Sequence, residues 1–313
     1  MNLNLITSML NIIIRSGAAL LLATLGEILA QRAGVLNLGL EGILLVSAAS
    51  GFAAAFHSQN VVLGILTAIA SGALLGGIHA FLVVTLKTKQ TVTGIAMWLF
   101  ASGVASLFGQ RLGPNGGPLV GLVGPKLSRL PIPWFSRLPL IGRPFFHQDL
   151  VIYSLYFLVP SLWFWIYKTR PGLYLRVAGE NPAALDVWGI SVEKIRYLYT
   201  MLGGGLVGLA GGYFSLSYTP GWTEGLTGGR GWIAIALVIF SGWNPVRAVW
   251  GALLFGGVSA LQLRLQAAGL KIPVSLLDMS PYFATILVLV FISQGSRKKQ
   301  GTPAALGTPY LRE

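Results

Sequence analysis

The sequence predicts an all-α integral membrane protein of about eight to nine transmembrane helices, with a discontinuous helix near residues 34–42, and three observations carry that expectation. Hydrophobic residues make up 54% of the 313 and charged residues only 10%, with a mean hydropathy of +0.71. So few charges cannot clothe a soluble protein of this length, and lipid must cover much of the outside. Runs of roughly 20 apolar residues, the length a helix needs to cross the hydrocarbon, recur along the chain. They are continuous and rich in Leu, Ala and Gly, without the polar/apolar alternation of a closed β-barrel, the other architecture lipid permits. Finally, one of these runs is interrupted by AGVLNLGLEG (33–42), which places three glycines, Asn37 and Glu41 where a span is expected.

In chain order the runs lie near 4–26, 34–56, 61–86, 91–109, 150–168, 197–219, 231–243, 246–268 and 280–294, the seventh and ninth being short for a full crossing. The first has no basic stretch before it and no convincing cleavage site, and reads as a retained span. Gly34 and Gly39 permit the second to break, and unwound backbone at membrane depth is tolerated only where protein or a cavity surrounds it. Two readings stay open there. Glu41 caps broken-helix N–H groups and Asn37 offers donor and acceptor to a neutral solute, or both simply hold the break together; Glu27, Gln31 and Arg32 just before it also allow a place at the membrane interface. The fourth run opens with KQTVTGIAMWLFASG (89–103), whose Gln90, Thr93 and Trp98 depart from plain hydrophobicity. SGALLGG (71–77) and GGGLVGLAGG (203–212) space small residues for close helix packing or for surfaces that slide.

The segments between the runs set the topology. The net charge of +13 is gathered into them, which fits membrane orientation rather than nucleic acid. Twelve basic residues fall on one side when 87–90, 168–196, 244–247 and 295–313 are placed in the cytoplasm, against eight in the other segments, most of those in a Pro-rich external loop at 111–149. This divides the chain into a transmembrane domain, 1–294, and a basic cytoplasmic tail, 295–313. In 168–197, Pro171-Gly172 breaks the preceding helix, Asn181 caps a short surface helix with Pro182 in its first turn, and Gly189 stops it. Trp222, Glu224 and Arg230 cluster at the outer ends of the sixth and seventh runs. The absence of cysteine excludes disulfides and thiolate sites. His57, His79 and His147 lack metal-ligand spacing, and no Gly-Lys-Ser/Thr follows the glycine runs, so the chain has no phosphate loop for ATP.

AGVLNLGLEG, LRVAGENPAALDVWGISVEKIR (175–196) and GGRGWIAIALVIFSGWNP (228–245) together resemble, in order and spacing, the signature regions of permease subunits of bacterial ABC importers for branched-chain amino acids and simple sugars, closest to the nucleoside-type branch. The resemblance runs from about residue 10 to 294. It implies a multi-pass protein of the bacterial inner membrane that translocates solute and binds no cofactor itself, with ATP-Mg on a cytoplasmic ATP-binding subunit. It also implies a second homologous permease in a heterodimer and an extracytoplasmic solute-binding lipoprotein. The family's coupling helix falls on Glu180, Asn181, Pro182, Ala183, Ala184, Asp186, Val187, Trp188 and Gly189. The substrate pathway then takes Asn37, Glu41, Gln90, Thr93 and Trp98, although nucleoside-type permeases often have asparagine where Trp98 stands. Trp222, Glu224 and Arg230 become candidate contacts for the binding protein. Nucleosides are the expected cargo, with ribose-like sugars and branched-chain amino acids as alternatives. A rival of another class is a secondary transporter driven by ions through Glu27, Glu41 or Asp278.

Overall fold

Helix occupies each of the nine apolar runs in the computed structural model, which describes residues 3–267, 273, 276, 277, 279–295 and 301–311. Lys271, Asp278, Arg297, Lys298, Lys299 and Arg312 lie outside the described residues. The helices are α1 (Leu3–Arg32), α2 (Leu40–Ser58), α3 (Val61–Ala80, continued by a π turn to Thr85) and α4 (Gln90–Arg111), followed by the short α5 (Gly142–Phe146). After α6 (Leu150–Lys168), α7 (Arg170–Glu180) and α8 (Pro182–Val187) come α9 (Val192–Tyr213, continued by a π turn to Tyr218), α10 (Arg230–Ser241), α11 (Pro245–Ala267) and α12 (Ser280–Gly295).

Six of these are long and apolar enough to cross a membrane: α1, α2, α3 with its π turn, α4, α6 and α11. The expected eight to nine is not reached by length, because α10 has 12 residues and α12 has 16, while α9 begins with Glu193, Lys194 and Arg196. α1 runs six residues beyond its expected end, so Glu27 and Gln31 belong to the helix. α7 was not expected: Pro171 and Gly172 do not form a connection but sit in the first turn of a new helix capped by the Thr169 hydroxyl, which accepts from Gly172 N–H at 3.2 Å.

α1, α2 and α9 form the interior, and the glycine runs are what let them approach. A Cβ built on Gly76 of α3 would meet the Thr200 carbonyl oxygen of α9 at 2.7 Å, and one on Gly211 of α9 would meet the Leu44 carbonyl oxygen of α2 at 2.5 Å. Packing, then, is what these small residues do here. Around that interior, α4 and α6 present Leu99, Phe100, Phe157 and Phe164 outward, an apolar surface suited to lipid.

The bundle has two distinct ends. At one, the 112–149 segment forms a two-residue antiparallel pairing, β1 (Leu130–Pro131) with β2 (His147–Gln148), and closes over the start of α1 through Gln148 Nε2 to Asn11 Oδ1 at 3.1 Å. At the other end lie the close of α1, α7, α8, the α10–α11 corner and residues 301–311. That corner is the GWNP of the third signature. Gly242 and Trp243 turn with φ of 59° and 56°, Asn244 Oδ1 accepts from Val246 N–H at 2.9 Å, and Pro245 begins α11.

Candidate functional site

Residues 33–39 connect α1 to α2 without helix, every one of them buried or half-buried. Gly34, at φ +88°, closes α1: its N–H reaches the Gln31 carbonyl at 2.9 Å and Val35 N–H reaches that of Ala30 at 3.0 Å, the paired bonds of a left-handed helix stop. Gly39 serves differently, by closeness, since a Cβ there would lie 3.0 Å from Asn37 Oδ1 and 3.2 Å from Met97 Cβ. The loop then turns back into the bundle. Asn37 N–H donates to Glu27 Oε1 at 3.1 Å, and Glu27 stands five residues inside the end of α1, about 7 Å along the helix axis.

The loop's polar atoms are held from several elements. Asn37 Oδ1 accepts from Gly39 N–H at 2.9 Å, a side-chain turn just ahead of α2. Gln90 Oε1 accepts from Leu36 N–H at 2.6 Å, and its Nε2 reaches the Gly34 carbonyl at 3.4 Å. His79 Nε2 lies 3.0 Å from the Leu36 carbonyl. Gln90 therefore joins Asn37 at the break, whereas the Thr93 hydroxyl bonds to Lys89 O at 3.0 Å and Thr88 Oγ1 at 2.7 Å, on its own side of α4.

Glu41, only 6% exposed, reaches across the bundle. Its Oε1 accepts from Thr227 Oγ1 at 2.5 Å and Gly229 N–H at 2.7 Å, and its Oε2 from Gly231 N–H at 2.6 Å. The carboxylate thus caps α10, not the helix that carries it, although it also lies in the first turn of α2, where a helix dipole favours negative charge. Next to it, Trp98 meets Trp232 of α10 edge to face, with ring centroids 5.5 Å apart. The end of α1, just before the break, is joined to the third signature by Gln31 Oε1, which accepts from Trp243 Nε1 at 2.7 Å, and by the Arg32 guanidinium, which donates to the Trp243 carbonyl at 3.2 Å and to Tyr167 OH at 3.0 Å.

On the same end, α8 has the cap expected of Asn181, whose Oδ1 accepts from Ala184 N–H at 3.3 Å, and ends at Gly189 with φ +74°. Leu185 anchors it, 1% exposed against Ala178 and Val192, while Val187 and Trp188 stand 85% and 71% exposed. Ala183 is exposed and Ala184 half-buried. Two exposed apolar side chains thus stand beside one buried anchor.

At the opposite end, Trp222 is 2% exposed and packs on Gly109, so it shapes its loop from beneath, while Glu224 lies at the surface and bonds to Ser106 Oγ at 2.5 Å. Arg230 turns the other way, over the rings of Phe214 and Tyr218, and borders a cavity of about 460 Å³ also lined by Arg15 and Arg129. Trp222, Glu224 and Arg230 therefore do not form one patch.

Six helices long and apolar enough to cross a membrane, packed with a buried helix break, mark a multi-pass membrane protein. The family model described as branched-chain amino acid transport system/permease component matches residues 8–292. A putative glucose ABC transporter permease protein of Haloferax volcanii is 37% identical, over 97% of this chain and 98% of its own length. In Bacillus subtilis, the guanosine ABC transporter permease protein NupQ is 33% identical over 94% and 93%. A second guanosine permease protein there, NupP, is 27% identical over 92% and 84%. No solved structure matches. This chain belongs to the ABC-importer permease family. Such subunits translocate solute, bind no cofactor and do not hydrolyse ATP, and the family implies an ATP-binding subunit and a solute-binding protein as partners. The ion-coupled reading is set aside by that membership.

Proposed function

We propose that the chain is one of two permease subunits of an ATP-driven importer for nucleosides. The observation that carries this reading is convergence: the break, the α10–α11 corner and α8 share one end of the bundle, so a motor seated on Val187 and Trp188 lies next to the loop that carries Asn37. That end is cytoplasmic, the 112–149 end is external, and α9, α10 and α12 add to the six long helices to complete eight to nine crossings. Asn37, Gln90 and Trp98 border the solute's path. Thr93 supports the start of α4, and Glu41 keeps α10 in place beside the path. Ala183, Ala184, Val187 and Trp188 form the face toward the ATP-binding subunit, with Glu180 and Asp186 at its rim, where charge sets orientation more than affinity. Glu224 and Arg230 meet the binding protein.

Nucleosides rank first because NupQ and NupP are both named for guanosine transport, and two such permeases in one organism also support a heterodimer with a homologous second subunit. Glucose-like sugars are the second reading, favoured by the Haloferax relative. The test is uptake of labelled guanosine by the complete complex in liposomes. Inhibition by unlabelled nucleosides and not by glucose or ribose is the expected result. Inhibition by sugars alone moves the assignment to the second reading, and uptake indifferent to ATP refutes the importer.

A further inference from the structure

Residues 301–311 do more than trail from the bundle. Ala305 N–H donates to the Gly179 carbonyl at 2.8 Å and Ala304 N–H to Glu180 Oε2 at 3.2 Å, which ties the segment to the end of α7. Tyr310 OH donates to Asp186 Oδ2 at 3.3 Å while its ring packs with Leu185, Ala178 and Val192, which ties it to α8. Gly307 N–H donates to the Gly34 carbonyl at 3.3 Å, which ties it to the break. Leu306 packs against the main core.

Two further atoms give this arrangement its direction. The Gly34 carbonyl is also the acceptor for Gln90 Nε2, so one oxygen receives the segment from one side and α4 from the other. Arg196, 2% exposed, touches both the segment and the break: its Nη1 donates to the Thr308 carbonyl at 3.1 Å, and a Cβ on Gly34 would lie 2.9 Å from its Nη2. Hydrogen bonds weaken steeply once donors and acceptors part by a few tenths of an ångström beyond these lengths. A shift of α8 by the length of one such bond therefore either breaks the Tyr310–Asp186 tie or drags the segment along, and a dragged segment pulls on the bond at Gly34 and re-aims the loop that holds Asn37.

We propose that 301–311 is a positioning strap for transport, passing displacement of α8 to the 33–39 break. The proposal rests on the reading of α8 as the face toward the ATP-binding subunit. The strap's residues act through the groups they hold, not by touching solute or nucleotide.

The test compares the complete complex in liposomes with three forms of this chain: wild type, a chain ending at Gln300, and Tyr310→Phe. Three quantities are read, namely the ATP-binding subunit retained, the rate of ATP hydrolysis, and the solute moved per ATP hydrolysed. Both variants are expected to retain the ATP-binding subunit and to hydrolyse ATP within about twofold of wild type. Solute moved per ATP is expected to fall about tenfold on shortening and about two- to fivefold in Tyr310→Phe, the scale of one lost hydrogen bond. An unchanged ratio in Tyr310→Phe overturns the strap, even if the shortened chain is not recovered folded. Loss of the ATP-binding subunit with an unchanged ratio in the complexes that remain also overturns it, because the segment would then only build the docking surface. A wild-type complex that fails to hold its ATP-binding subunit through α8 refutes the reading of α8, and the strap with it, before any variant is compared.

Discussion

Replacing Glu41 with glutamine keeps the side chain's length and volume and changes only what its outer atoms offer. In the native chain those two oxygens take three donors, from Thr227, Gly229 and Gly231, in a site that water scarcely reaches. If the amide oxygen of glutamine keeps Thr227 and Gly229, its NH2 faces the Gly231 N–H, donor against donor. One charge-assisted bond of about 1.5–3 kcal/mol is lost, and an N–H is left unpaired. Loss of the negative charge between two helix starts adds about 0.3–1 kcal/mol. The expected cost is therefore about 2–4 kcal/mol, enough to lower the thermal unfolding midpoint of the purified permease clearly. Glu41→Ala abandons all three donors at a cost near the whole stability of an ordinary domain, about 5 kcal/mol or more, and little folded protein is expected. A double-mutant cycle with Thr227→Val isolates the hydroxyl's share, since the two groups are in contact and their effects must not simply add. A Glu41→Gln permease with an unchanged midpoint refutes the capping argument.

Two other perturbations separate path from platform. Asn37→Ala and Trp98→Ala are each expected to reduce uptake while the ATP-binding subunit still co-purifies, at about 1–3 kcal/mol for an unpaired polar contact or a lost ring contact; normal uptake in both would show that the path runs elsewhere. Leu185→Ala removes the buried anchor of α8 at a local cost of about 2–5 kcal/mol, so membrane insertion should persist while recovery of the ATP-binding subunit drops, and undiminished recovery would show that α8 is held by other contacts.

Hydrophobic runs made the spans legible because lipid leaves little choice of residue over such lengths. The helix break was legible for the same reason: Asn37 and Glu41 stand out against apolar surroundings. Their partners were not. Glu41 bonds to Gly229 and Gly231, about 190 positions away, through backbone N–H groups that every residue but proline carries and no pattern of side chains announces. The links of Gln31 and Arg32 to Trp243 are hidden likewise, since one ends on a carbonyl. α7 was obscured by Pro171-Gly172, which breaks a helix when it falls inside one and is tolerated in the first turn of a new one. In 301–311 the composition is that of a loop, and its order comes from main-chain bonds to Gly179 and Gly34. On α8, the cap and stop were legible in Asn181 and Gly189, but Leu185 as its anchor required knowing that Ala178 and Val192 lie beneath.

The proposed function stands or falls with α8 as the place where the ATP-binding subunit drives this permease. The most direct measurement is ATP-dependent uptake by the complete complex in liposomes, with wild type beside Ala184→Arg. Ala184 is half-buried, and in the proposed contact with the ATP-binding subunit an arginine there adds bulk and an unpaired charge to a dry interface, at a cost of several kcal/mol, on the order of 3–5. Uptake by wild type is expected only when ATP is supplied, and the Ala184→Arg chain is expected to insert in the membrane but neither to hold the ATP-binding subunit nor to accumulate solute. Wild-type uptake without ATP, or an Ala184→Arg complex that assembles and transports normally, would contradict the proposed function.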